Sequence, residues 1–162
     1  MRAPILGMVG LAALGIALTS CSSGPGGEFP DQGDQHIANE QSFTGYSSAP
    51  PTSGPHWGAP APWGIHSEPL PNEWQVHNLE HGGVMIQYNT EDQNLITQLR
   101  RFAQKQSDFP CFLIVAPYPD MQFPVAVTAW GVRDTMESYD EARLQEFVDA
   151  YLNKGPERLP CR

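Results

Sequence analysis

Between Ser47 and Asn72 the chain carries Pro50, Pro51, Gly54, Pro55, Gly58, Pro60, Pro62, Gly64, Pro69 and Pro71. Proline fixes φ and lacks a backbone N–H, so no regular helix runs through such a stretch. The same missing donor excludes a central strand. Yet Trp57, Trp63, Ile65 and Trp74 interleave with the prolines, which a plain linker has no use for. The expectation is a long Pro/Gly/Trp-rich ordered loop, packed by its own aromatic side chains. Loops of this length inside a compact domain are either functional or disordered, and the aromatics favour function.

Regular structure is therefore expected mainly after this loop. Val84-Met85-Ile86-Gln87-Tyr88 alternates and reads as a strand. Asn89-Thr90-Glu91 supplies a cap, and Asp92 to Gln106 reads as an amphipathic helix with Leu95, Ile96, Leu99 and Phe102 on one face. Cys111 to Val115 reads as a buried strand stopped by Ala116-Pro117, and Val125 to Trp130 as another stopped by Gly131. Tyr139-Asp140-Glu141 opens a final helix whose stripe is Leu144, Phe147, Val148, Tyr151 and Leu152, and Gly155-Pro156 ends it. Strand, helix, strand, strand, helix predicts an α+β fold: a small, mostly antiparallel sheet with two helices on one face.

The N-terminus reads as a targeting segment. Arg2 precedes an apolar run from Ile5 to Leu18, and Leu18-Thr19-Ser20-Cys21 is a lipobox. The run is shorter than the ~20 residues of a membrane span. Residues 1–20 are expected to be a lipoprotein signal peptide, with Cys21 lipidated, 21–35 a flexible tether, and 36–162 a single domain. The expected location is extracytoplasmic, with the lipid on Cys21 as the membrane anchor. The formal net charge is −9, and with no basic stripe the chain is not expected to bind nucleic acid. Cys111 and Cys161 remain as an even pair, which in an oxidising compartment predicts a disulfide. Metal ligation by their thiolates is the alternative, but neither has a neighbouring His or Cys.

Chemistry concentrates in the histidines: His36, His56, His66, His77 and His81. His77 and His81 are four apart, a spacing that sets two imidazoles on one face of a helical turn. Neutral imidazole is the commonest protein metal ligand. His56, stiffened by Gly54-Pro55, supplies a third ligand, and Met121 or His36 completes the set. Glu80 orients one of the imidazoles. Gly82-Gly83 permits a sharp turn straight after. Thioether with imidazole favours copper, whereas three histidines with a carboxylate suit zinc. Met85, in a strand, reads as core. The competing reading is a hydrogen-bonded polar loop without metal. His77-Asn78-Leu79-Glu80-His81 also matches the H-x-x-E-H pattern of zinc peptidases with Glu80 as general base, though Gly82-Gly83 breaks the long helix such enzymes need.

Pro50-Pro51-Thr52-Ser53-Gly54-Pro55-His56-Trp57, then Val76-His77-Asn78-Leu79-Glu80-His81-Gly82-Gly83-Val84, resemble an uncharacterised bacterial family, domain of unknown function 3105. Ala126-Val127-Thr128-Ala129-Trp130-Gly131 fits it too, so the resemblance covers roughly His36 to Glu157. It implies a secreted or membrane-anchored protein and sets His36, His56, His77, Glu80 and His81 in the family's motifs. His66 stands where the family has an aromatic residue and ranks lower. The function expected first is binding of a transition-metal ion, copper with zinc as alternative, for metal handling rather than catalysis. A zinc hydrolase and a metal-free interaction module built on the Trp loop are the other two readings.

Overall fold

The computed structural model describes residues 24–161. In chain order the elements are β1 (Gly27–Glu28), β2 (His36–Ile37), β3 (His56–Trp57), β4 (Gly64–Ile65), α1 (Asn72–Glu80), β5 (Val84–Tyr88), α2 (Gln93–Lys105), β6 (Leu113–Pro117), β7 (Val125–Ala129), β8 (Val132–Met136) and α3 (Glu141–Tyr151). The fold is α+β. Six strands form one mostly antiparallel sheet in the order β1-β8-β7-β5-β6-β4, and β2 and β3 make a separate two-stranded pair.

The sheet alternates its cargo as a pleated strand must. Val84, Ile86 and Tyr88 of β5 join the main core, together with Leu95, Ile96, Leu99 and Phe102 of α2 and Leu144, Phe147 and Val148 of α3. Met85 points the other way, into a second cluster with Leu79 of α1, Ile114 and Ala116, against which Trp63, Trp74 and Trp130 pack. Both α2 and α3 start on an aspartate cap. The Asp92 carboxylate accepts from the Asn94 N–H at 2.9 Å, and Asp140 from the Arg143 N–H at 3.0 Å.

Several expectations need correcting. Among the described residues there are three helices, not two: α1 occupies a segment with no amphipathic stripe, because nearly all of its residues are buried, polar ones included. The mostly antiparallel sheet is as expected, its parallel pairs being β5 with β6 across α2 and β4 with β6. β8 follows β7 after a two-residue turn at Trp130-Gly131, with Gly131 at φ 73°. Its inward residues are Val132, Asp134 and Met136, and the charge in the middle hides the apolar alternation. Asp134 is tolerated there because Arg143 donates to both of its oxygens, at 2.6 and 2.5 Å. The stretch rich in proline is also not loop throughout, since β3 and β4 lie within it; β4 takes the sheet edge, where proline neighbours are tolerated.

The lipobox and Cys21 lie outside the described residues. The described part of the expected tether is built into the fold. Gly27–Glu28 pairs with β8, and the Gln32 N–H donates to Ser53 Oγ at 3.0 Å. At the other end, Cys111 and Cys161 form a disulfide with Cα atoms 5.7 Å apart. The loop it closes spans 50 residues. Replacing both cysteines by serine is expected to lower unfolding stability by up to about 4 kcal/mol, the chain-entropy value for such a loop. Urea unfolding of the metal-free protein measures it. An unchanged midpoint would mean that backbone contacts alone hold the tail.

Candidate metal centre

The first two imidazoles meet through strand pairing. β2 and β3 are parallel, in the register His36 to His56 and Ile37 to Trp57. Paired residues on adjacent strands project to the same side, and the His36 and His56 ring centroids are 4.8 Å apart. The loop entering β3 is held tightly. Tyr46 donates its hydroxyl to the Pro55 carbonyl at 2.6 Å, and Gly54 adopts φ 121° with its N–H donating to the Gly33 carbonyl at 2.9 Å. A Cβ on Gly54 would meet the Tyr46 ring at 3.3 Å.

The remaining groups come from α1. His77, Glu80 and His81 stand at i, i+3 and i+4, neighbours on one side of the helix. The His77 ring lies 5.2 Å from that of His36, nearly parallel to it, and 5.2 Å from that of His56. Glu80 completes the set: its Oε2 is 3.1 Å from His56 Nε2 and 3.6 Å from His36 Nε2. The ligand-type atoms of His36, His56, His77 and Glu80 all lie within 4.8 Å of one another. His56, His77 and Glu80 are buried, whereas His36 is half exposed.

Backbone carbonyls fix which nitrogen faces the cluster. His56 Nδ1 lies 2.8 Å from the Gly54 carbonyl, and His77 Nδ1 lies 2.6 Å from the Trp57 carbonyl. A carbonyl only accepts, so each Nδ1 carries the proton and donates. Neutral rings then offer Nε2 as a lone pair, the orientation that metal-ligating histidines take from an outer partner. For His56 this is acute: the Nε2 lone pair faces a carboxylate oxygen at 3.1 Å. Two acceptors at that distance repel unless a proton or a metal cation stands between them. Burial pushes the His77 imidazole below its ordinary pKa against the pull of the Trp57 carbonyl, and His81 and His56 add to the lowering.

The other polar groups of α1 are satisfied. Asn78 clasps Ala61 from both sides, accepting from its N–H at 2.8 Å and donating to its carbonyl at 2.9 Å. Gln75 donates to the Leu70 carbonyl at 2.6 Å and accepts from the Gln87 amide. Glu73 accepts from the Phe43 N–H at 2.6 Å. The helix ends where Gly82 turns with φ 82° and the Gly83 N–H returns to the Asn78 carbonyl at 2.8 Å.

The expected site residues thus separate. His36, His56 and His77 come together, and Glu80 stands among them as a candidate ligand rather than only an orienting group. His81 is grouped instead with Glu80 and Glu157, its Nε2 3.0 Å from Glu157 Oε2. Met121 is a correction: it is buried in an apolar cluster with Tyr118 and Ala126, so its thioether packs as core despite the polar residues beside it in sequence. Met85 is core. His66 is elsewhere, its Nε2 2.8 Å from the Pro62 carbonyl. Glu157 carries no signal in the sequence, since a glutamate in a C-terminal tail looks like any solvated charge.

The chain belongs to the family described as Protein of unknown function (DUF3105), whose model matches residues 36–162. No curated protein and no solved structure matches it.

Asn78→Ala is expected to destabilise the protein by about 2–3 kcal/mol, because it leaves both backbone groups of Ala61 without partners in the interior. Urea unfolding of the metal-free variant reads this directly. A cost below about 0.5 kcal/mol, the range of ordinary surface changes, would remove Asn78 from the scaffold.

Proposed function

We propose that this chain is an extracytoplasmic lipoprotein, anchored through Cys21, that binds a transition-metal ion through His36, His56, His77 and Glu80. Its role is metal handling rather than turnover. One observation carries the reading: two buried imidazoles have their Nδ1 atoms tied to carbonyls, and the His56 Nε2 so released faces a buried carboxylate at 3.1 Å. Four-coordinate zinc, with bonds of ~2.0–2.1 Å, sets its ligand atoms roughly 3.3 Å apart. The 3.1 and 3.6 Å separations about Glu80 Oε2 straddle that value. The lipobox and the disulfide support the compartment.

The donor set is three nitrogens and an oxygen. Without Met121 there is no thioether, so the soft-donor argument for copper falls away and the nitrogen and oxygen donors suit a divalent ion. Cu(II) binds such a set most tightly in the usual order of divalent ions, and Zn(II) suits a four-coordinate arrangement. The hydrolase reading needs Glu80 as a base beside an open position, but its Oε2 lies among the imidazoles as a ligand would. The interaction-module reading needs an exposed aromatic patch. Trp63 and Trp74 instead pack against the second apolar cluster, and the exposed large hydrophobic among the described residues is Leu159.

Titrating the full chain with Zn(II) and Cu(II) is expected to show tight binding and a rise in Tm with added metal. His56→Ala and His77→Ala should each weaken binding by roughly 100-fold or more, about 3 kcal/mol. Binding should also fade on acidification, because only the neutral ring ligates, and the lowered pKa of His77 keeps that ligand neutral further into acid than a free imidazole. No binding by the wild-type chain at neutral pH would sink the proposal.

A further inference from the structure

Resting on that reading of the first ion, we infer that the centre is dinuclear: the Glu80 carboxylate bridges the first ion to a second divalent transition-metal ion held by His81 and Glu157. Among the described residues, Glu80 is shared by two groups of donors, His36-His56-His77-Glu80 and Glu80-His81-Glu157, each with its ligand atoms within 4.8 Å of one another. A carboxylate has two oxygens. Oε2 faces His36 and His56, and Oε1 is the atom a bridge offers to the second ion. Carboxylate-bridged pairs hold their ions ~3.5–4 Å apart. The imidazoles of His77 and His81, with centroids 4.4 Å apart, then serve one ion each from successive turns of the chain.

The way Glu157 arrives supports a built site. The segment after α3 crosses the end of α1, where the Asn153 N–H donates to the Gly82 carbonyl at 2.8 Å and the Glu157 N–H to the Glu80 carbonyl at 3.1 Å. A Cβ on Gly155 would lie 2.1 Å from the Glu80 carbonyl oxygen, so only glycine lets the tail come so close. The Cys111–Cys161 disulfide anchors the segment beyond it. This docking places a second carboxylate beside the Glu80 side chain, which is only 7% exposed. Two carboxylates drawn together repel, and one histidine shared between them compensates only in part; a divalent cation answers both. Asp34, His36, Glu80, Pro156 and Glu157 line an open cleft over the pair, an acidic mouth through which a cation reaches the centre.

The test is stoichiometry and coupling. The purified full chain, titrated calorimetrically with Zn(II), should take up two equivalents. His81→Ala and Glu157→Gln should each lose the second equivalent and keep the first; circular dichroism of the metal-free variants verifies folding, and Glu157 is half exposed. Loading with Cu(II) should give a mononuclear EPR signal at one equivalent that collapses through coupling at two. A wild-type chain that binds one equivalent, unaffected by either variant, overturns the bridge and leaves the first site standing. Two equivalents with uncoupled Cu(II) spectra also overturn it. No metal bound at all overturns both readings.

Discussion

Glu80 is a carboxylate nearly withdrawn from water, with a histidine nitrogen 3.1 Å away. Burying a charge costs several kcal/mol unless something opposite in sign stands against it, and the groups around Glu80 are placed where a shared proton or cation would join them to it. β2 and β3 run side by side to bring His36 and His56 to its oxygen. α1 carries it inward at the end of the helix, and the tail after α3 closes over its backbone. Without such a proton or cation the charge would stand uncompensated in the interior, which is why this carboxylate governs the arrangement rather than decorating it.

The helix bearing Glu80 is unusual in kind. Glu73, Gln75, His77, Asn78 and Glu80 are all buried within nine residues, and a buried polar group is tolerated only when its hydrogen bonds are made. Here they are made to loop backbone at Ala61, Leu70, Phe43 and Trp57. The irregular segments that wrap α1 thus draw their order from its side chains, and the helix draws its solvation from their carbonyls and amides. Such a network is strong when complete and fragile to single deletions.

What could be read in advance follows this division. α2 and α3 announce themselves through apolar stripes and aspartate caps, and β5, β6 and β7 through short apolar runs. α1 shows neither stripe nor cap, because its partners are polar and come from far along the chain. β8 is masked by Asp134, whose partner Arg143 lies on another element. At the site, His56 and His77 stand out by residue type and spacing. Their company is not legible: the parallel register that brings in His36, and the tail that delivers Glu157, are both tertiary. Met121 misleads for the opposite reason, a soft donor atom on a side chain that also fills apolar space well.

The pairing of β2 with β3 has a bearing on how the molecule is made. His36, His56 and Glu80 are separated by twenty or more residues at each step, so their contacts must overcome the entropy of loop closure, as must the sheet's own pairs such as Val84 with Leu113 and Met85 with Thr128. The sheet with α2 and α3 has its own core, in which His36, His56 and Glu80 take no part. The shape of the β2–β3 corner is thus written in protein contacts, and an ion held there would tighten that corner locally rather than organise the fold.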